Sequence, residues 1–181
     1  MTPGAGCMDL RKLLATTHAF LESAQVRHAL IGGLALGAHG VQRFTNDVDW
    51  LAHGDDRLAL KQALLASGFV ALSETQEAAH FGGHGPVDVL FANQPLSQEM
   101  IAQAPLLAGL TIKCLGPEAI IGLKIQAYIN APKRELRDKA DIQALMEANP
   151  KLLWKDVKRY ADLFDQWPVI QAIRRLAEGP E

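Results

Sequence analysis

The chain has 181 residues, of which 49% are hydrophobic and 21% charged, with a formal net charge of −2 at pH 7. This composition can bury the core of one domain, or of one domain with a helical appendage, and it disfavours disorder. The charge disfavours a protein that coats nucleic acid by bulk electrostatics, although a local basic patch stays possible. Cys7 and Cys114 lie far apart without a CxxC motif, so we expect free thiols in a reducing compartment.

The sequence also lacks signals for membrane insertion and secretion. No apolar run reaches the roughly 18 residues that a membrane helix needs. Residues 1–7 have neither the basic nor the apolar region of a signal peptide. We therefore expect a cytoplasmic protein without a membrane partner. The six histidines show no spacing typical of metal ligands.

Hydrophobic periodicity and turn residues predict an α+β part followed by a helical part. The first elements, in chain order, are a helix over 9–25, a strand over 28–31, a short helix over 34–39, a strand over 47–52, a helix over 55–67, a hairpin over 69–72 and 79–81, and strands over 87–91 and 110–115. Helices are predicted over 118–130, 132–148, 154–164 and 168–177. We place the boundary between the two parts at residues 115 and 116.

Asp47 and Asp49 open the second predicted strand and follow a glycine pair, Gly32-Gly33. Residues two apart in a strand share a face, so both carboxylates lie together while Val48 turns into the core. Carboxylates side by side repel each other, and a cation between them relieves the repulsion. Backbone N–H groups after the glycine pair, at the start of a helix, form a phosphate seat. The combination predicts chemistry on a nucleotide.

Asp88 is a third acidic candidate, inside the otherwise apolar strand over 87–91. A buried carboxylate without a partner is costly, so it needs a partner or an ion. If this strand lies beside the strand of Asp47 and Asp49, the three carboxylates converge and suit one or two Mg²⁺ ions. In the alternative interpretation, Asp88 points to solvent at a strand end and Asp47 only ends a turn.

With these motifs in this order, the sequence resembles the nucleotidyltransferase superfamily, which has the DNA-polymerase-β-like fold. It is most similar to the AbiEii-like toxin branch of type IV toxin–antitoxin systems. That branch has an Arg-x-Thr-x-Asp-x-Asp run, a lysine in a later helix and an Asp-x-x-Asp motif. The matching residues outside the carboxylate site are Arg43, Thr45, Lys124, Asp138 and Asp141. The resemblance spans about residues 28–145.

The resemblance implies an α+β fold, with a small mixed sheet flanked by helices and a helical C-terminal part. It implies that Asp47, Asp49 and Asp88 are catalytic and hold Mg²⁺, or Mn²⁺ in its place. It further implies that a nucleotide such as ATP is bound by Gly32, Gly33, Arg43, Thr45 and Lys124. Many active members carry serine after the first glycine, whereas Gly33 offers only its backbone N–H.

The motifs of the helical part have alternative interpretations. Lys124 could act as a point charge on a triphosphate, or it could be an exposed helix lysine whose removal alters folding little. Asp138 and Asp141 share a helix face and could take part directly in the reaction. Alternatively, they belong to an ion-pair ladder on a solvated helix. The basic residues available for that ladder are Lys133, Arg134 and Arg137.

The leading hypothesis is a Mg²⁺-dependent nucleotidyltransferase that moves an NMP from an NTP to an acceptor hydroxyl. The toxin-like resemblance favours an RNA end, such as that of tRNA, and implies a cognate antitoxin as partner. A protein hydroxyl and a small molecule such as an aminoglycoside are alternative acceptors. A second hypothesis is a non-catalytic member that serves as a binding or antitoxin-type partner protein. Glycine in place of serine at residue 33 gives that hypothesis weight.

Overall fold

The computed structural model describes residues 9–179, which form two compact units. The first unit comprises residues up to 34 together with 44–115, and the second comprises 35–43 together with the chain from 116 onward. The elements up to residue 115 are α1 (Leu10–Ser23), β1 (His28–Ile31), α2 (Gly32–Ala38), β2 (Val48–His53), a 3-10 turn (Gly54–Asp56), α3 (Arg57–Ala66), β3 (Val70–Glu74), β4 (Ala78–Gly82), β5 (Val87–Ala92) and α4 (Pro95–Gln103). The division between the units runs through α2.

The first unit is built on one five-stranded sheet with the strand order β1-β2-β5-β4-β3. β2 and β5 are parallel, whereas the other neighbouring pairs are antiparallel. Val48 and Trp50 on β2, like Val87 and Val89 on β5, are buried. Because side chains alternate between faces, this pattern leaves Asp49 on the opposite face of β2. The mixed sheet with flanking helices confirms the predicted α+β class.

Between β1 and residue 115, the structure differs from the prediction in three places. The helix α4 was not predicted; it begins at Pro95, whose missing N–H costs nothing in the first turn, and Gln94 with Ser97 forms a capping box. The predicted strand over 110–115 is wrong. Its apolar run makes only isolated bridges, one of which joins Cys114 to Leu30 of β1. The helix α2 starts at the glycine pair itself rather than two residues later.

The second unit consists of helices, as predicted. After the end of α2, its elements are α5 (Pro117–Asn130), a 3-10 turn (Pro132–Arg134), α6 (Glu135–Ala148), α7 (Trp154–Asp162) and α8 (Trp167–Glu178). α5 packs against α6 and α7, and α8 packs against α6. The approach of α5 to α7 is close, because a Cβ at Gly122 would lie 2.8 Å from Cγ of Tyr160. Glycine therefore sets the distance between these helices.

Two further predictions are the absence of a membrane-spanning helix and the presence of cysteines as thiols in a reducing compartment. Among the described residues, no helix is long and apolar enough to cross a bilayer. The thiol of Cys114 is buried, and burial raises its pKa to about 12. The predictions for Cys7 and for the absence of a signal peptide concern residues outside the described part of the chain.

Candidate active site

Three carboxylates meet on one face of the sheet where β2 and β5 begin. Asp49 and Asp88 are directly paired across these parallel strands. Asp47 precedes β2 and lies two residues before Asp49, which places it on the same face. One oxygen from each carboxylate lies within 4.8 Å of the others, and all three residues are half-buried. The structure thus brings together the three carboxylates that the sequence singled out.

The glycine pair lies against this group of carboxylates. Gly32 directly follows β1 as the first residue of α2, and its φ of +67° is a backbone conformation that favours glycine. A Cβ at Gly32 would lie only 1.8 Å from Oδ2 of Asp49. A glycine here therefore lets the backbone touch the carboxylate, which no other residue type would allow without displacing Asp49.

Thr45 lies between Gly33 and the Asp47 carboxylate. Its hydroxyl donates a short hydrogen bond to Oδ1 of Asp47, which orients that side chain. A Cβ at Gly33 would lie 2.5 Å from Cβ and 2.6 Å from Oγ1 of Thr45. A serine at residue 33 would therefore collide with Thr45. The departure from serine at Gly33 thus has a local packing reason, with the Thr45 hydroxyl filling the adjacent space.

His80 is a neighbour of the third carboxylate that the sequence analysis missed. It is paired with Asp88 across the antiparallel strands β4 and β5, and its Nδ1 lies 2.7 Å from Oδ1 of Asp88. Both side chains are partly exposed, 49% for the imidazole and 36% for the carboxylate. The signal is a histidine in the middle of one strand that lies opposite an aspartate in the neighbouring strand. It becomes visible only when the strand register is known.

The three carboxylates fit a divalent cation in both donor type and spacing. Mg²⁺ and Mn²⁺ prefer oxygen ligands, and carboxylates are the protein groups they use most. Without a cation, charges at this separation repel by about 1 kcal/mol per pair in bulk water and by several-fold more near a protein surface. Asp47, Asp49 and Asp88 would hold the ion, while Thr45 and His80 would fix the orientation of two of them.

The remaining candidates form a charge cluster within the second unit, which consists of Arg43, Lys124, Arg134, Asp138 and Asp141. The Lys124 ammonium donates to Oδ1 of Asp138 at 2.8 Å and to Oδ2 of Asp141 at 2.5 Å. The Arg43 guanidinium donates a short hydrogen bond to Asp141, and Nε of Arg134 donates to Asp138 at 3.2 Å. Each carboxylate therefore receives hydrogen bonds from two cations.

Burial of the charge cluster overturns two of the alternatives drawn from the sequence. Lys124 is 8% exposed and Asp138 is fully buried, so neither lies on a solvated surface. The alternative of Lys124 as an exposed helix lysine is therefore wrong. The ion-pair ladder on a solvated helix is also wrong, although Arg134 does pair with Asp138. Bonds from α5 and from the segment after α2 draw these carboxylates inward.

Solved structures support the fold. The antibiotic-resistance factor ANT(2'')-Ia, in its solution structure, is 20% identical, with a TM-score of 0.61 over 88% of this chain and 94% of that one. The lincosamide antibiotic adenylyltransferase LnuA, with lincomycin bound, is 16% identical, with a TM-score of 0.55 over 77% and 98%. An antigenic nucleotidyltransferase-like protein from Paracoccidioides brasiliensis is 20% identical, with a TM-score of 0.54 over 92% and 94%. These TM-scores show a shared fold, and at such low identities they show no more than that.

Comparison with models of protein families is more specific than the comparison with solved structures. A search of curated protein sequences finds no match. The model described as nucleotidyl transferase AbiEii toxin, type IV toxin–antitoxin system, matches residues 13–177. That range includes all three carboxylates, the glycine pair and the charge cluster. The chain therefore belongs to the AbiEii family of nucleotidyltransferases, the toxins of type IV toxin–antitoxin systems.

Proposed function

We propose that this protein transfers an NMP from an NTP to an acceptor hydroxyl and that the transfer requires Mg²⁺ or Mn²⁺. The observation that carries the proposal is the convergence of Asp47, Asp49 and Asp88 within 4.8 Å at the start of two parallel strands. Asp47 and Asp49 would hold two metal ions, and Asp88 would complete the site. When bound, the cations would neutralise charge on the α-phosphate and on the leaving group.

The chain's own groups account for positioning and for the movement of the proton. The backbone N–H groups of Gly32 and Gly33 would bind the β- and γ-phosphates, since neither residue has a side chain of its own in the way. Asp88 would accept the proton of the attacking hydroxyl. A bond would form between that oxygen and the α-phosphorus, and the bond to the β-phosphate oxygen would break in line, so that pyrophosphate leaves with the electron pair. Positioning and charge stabilisation supply most of the acceleration in such transfers.

We propose an RNA end, such as that of tRNA, as the acceptor. The support is family membership, because a toxin that modifies RNA can stop growth when its antitoxin is absent. A cognate antitoxin is the corresponding partner, and the cytoplasm is the compartment that we assign to both. ANT(2'')-Ia has been solved with adenylyl-2''-tobramycin, so an aminoglycoside hydroxyl is a useful competing probe. Roles of Arg43 and Lys124 in nucleotide binding stay predictions.

The experiment is transfer of radiolabel from each of the four [α-³²P]NTPs to total RNA, to cell protein and to tobramycin. We expect labelled RNA in the presence of Mg²⁺ and none in the presence of a chelator. Asp49→Asn is the inactive control, and Asp165→Asn, outside the proposed site, is the matched control that should retain activity. Labelled protein or tobramycin without labelled RNA would overturn the RNA assignment. No labelled product with any NTP would favour a non-catalytic binding protein.

A further inference from the structure

A second group of ligand-type side chains lies at the other end of β1, within the first unit. His18 lies on α1, and His28 is the first residue of β1. Both imidazoles are buried, and Nδ1 of His18 lies 2.9 Å from Nε2 of His28. Glu22 follows His18 by four residues on the same helix face, and its Oε1 lies 4.0 Å from Nε2 of His28. One ligand atom from each of the three lies within 4.8 Å of the others.

We propose that His18, Glu22 and His28 form a binding site for a divalent transition metal of the Zn²⁺ class. Two imidazoles and one carboxylate are a ligand set that Zn²⁺ accepts, whereas Mg²⁺ prefers oxygen ligands alone. The proposal does not depend on the proposed nucleotidyl transfer. In the β1–β2 pair, Ile31 lies opposite Asp49, and His28 lies opposite Ala52, which is three residues after Asp49 on β2. The site is therefore separated from the three carboxylates by about 10 Å along the strand.

In each ring, the nitrogen that faces away from the other histidine, here called the outer nitrogen, has a hydrogen-bond partner, as is usual for histidines that bind a metal. Nδ1 of His28 lies 2.6 Å from the carbonyl oxygen of Val26, which can only accept a hydrogen bond. Nδ1 must therefore carry the proton, and the lone pair of Nε2 faces His18. A histidine that donates its outer N–H to a backbone carbonyl is the usual arrangement around a bound metal.

His18 can become the second ligand without a net loss of a proton. Its Nε2 lies 3.2 Å from the hydroxyl of Thr111, which can donate or accept. Without metal, Thr111 donates to Nε2 of His18, and Nδ1–H of His18 donates to His28. With metal, the proton would move from Nδ1 to Nε2 of His18, and Nε2–H would donate a hydrogen bond to the rotated hydroxyl of Thr111, which leaves Nδ1 available to bind the ion.

The spacing of the ligand atoms requires little adjustment. Ligands about 2.0–2.2 Å from a tetrahedral ion are roughly 3.3–3.6 Å apart. The two nitrogens are therefore about 0.4 Å too close for such an ion, and Glu22 is slightly too far. The Glu22 carboxylate is 64% exposed and so is free to move inward. Trp50 stacks on His18 and meets His28 edge-on, which limits rotation of both rings.

The fourth coordination position has access to solvent. Glu22 and His28 both line a cavity of about 880 Å³, whose wall also contains Arg27, His53, Gln98 and Lys113. A three-ligand site that faces a cavity leaves room for water or an anionic ligand as the fourth group.

The test is titration of the metal-free full chain with Co²⁺ in saturating Mg²⁺, followed by visible absorption and tryptophan fluorescence. We expect one equivalent to bind, with the absorption of tetrahedral Co²⁺ and quenching of Trp50, and Zn²⁺ to displace it. His18→Gln should abolish this spectrum. Glu22→Gln should weaken Zn²⁺ affinity at least tenfold, and because Glu22 is exposed this variant folds even if the histidine variants do not.

The controls separate this site from the three carboxylates and from adventitious binding. Asp49→Asn, His84→Asn and Glu147→Gln should leave the Co²⁺ spectrum and the Zn²⁺ affinity unchanged. The proposal is overturned if no tetrahedral Co²⁺ spectrum appears. It is also overturned if Glu22→Gln binds Zn²⁺ as tightly as the wild type, or if binding is lost in Asp49→Asn instead. In those cases the two histidines form only a hydrogen-bonded pair.

Discussion

Replacing Lys124 by methionine tests the charge cluster of the second unit, because methionine keeps most of the volume and removes the charge. The ammonium makes two charge-assisted hydrogen bonds, to the fully buried Asp138 and to Asp141. Each such bond contributes roughly 1.5–3 kcal/mol, and breaking a buried ion pair costs about 3–5 kcal/mol. Arg134 and Arg43 still donate to the two carboxylates. We therefore expect the lower value, about 3 kcal/mol.

That loss corresponds to a fall of roughly 6–12 °C in the thermal midpoint of a chain of this length. Urea unfolding followed by circular dichroism gives the free energy of unfolding directly. The matched control is Lys158→Met, which removes an exposed i,i+4 pair with Asp162 and should cost about 0.5 kcal/mol or less. In a double-mutant cycle, Asp138→Leu should recover at least 1 kcal/mol in the Lys124→Met background. Equal, small losses in the Lys124 and Lys158 variants would refute the reasoning.

Further predictions concern the first unit. Asp49→Ala should abolish NTP turnover with an unchanged or raised thermal midpoint, since it relieves repulsion between carboxylates; a midpoint several degrees lower would indicate a structural carboxylate. Gly32→Ala should lower the midpoint, because its Cβ would meet the Asp49 carboxylate at 1.8 Å with φ at +67°. His80→Asn should weaken Mn²⁺ binding and lower kcat with little change in the midpoint; an unchanged kcat would exclude a positioning role. The Arg27 guanidinium holds the pKa of Asp56 below its ordinary value of 3.8. The stabilisation by the Arg27–Asp56 pair should therefore be complete above pH 3.8 and disappear as the pH falls through the lowered pKa of Asp56. The thermal midpoints of the wild type and of Asp56→Asn should then converge in acid. A difference between the two midpoints that stays constant with pH would contradict this.

Local sequence patterns identified the three carboxylates, whereas their convergence depended on which strands are neighbours. The alternation of side chains in a strand places Asp47 and Asp49 on one face, and an aspartate inside an apolar strand requires a partner or an ion. Parallel pairing of β2 with β5 then brings Asp88 directly beside Asp49. The helices of the second unit were predicted because strand signals disappear from Pro132 onward and because Pro117 stands at a helix start.

The partners of buried charges could not be predicted from spacing along the chain. Asp141 receives hydrogen bonds from Lys124, which is 17 residues away, and from Arg43, which is 98 residues away. An i,i+3 pattern within α6 suggests a solvated helix face, and only packing shows that this face is buried. Spacing also fails for His80, whose relation to Asp88 depends on the register of β4 and β5.

The most direct test of the central claim is the binding of Mn²⁺ to the three carboxylates, which does not depend on the acceptor. Electron paramagnetic resonance of free Mn²⁺ counts bound ions in the presence of a non-hydrolysable NTP analogue. We predict that the wild type binds Mn²⁺ and the analogue together. Each of the single substitutions Asp47→Asn, Asp49→Asn and Asp88→Asn should weaken Mn²⁺ binding at least tenfold. The control substitution Glu22→Gln should leave Mn²⁺ binding unchanged. Unchanged Mn²⁺ affinity in all three aspartate variants would contradict the account.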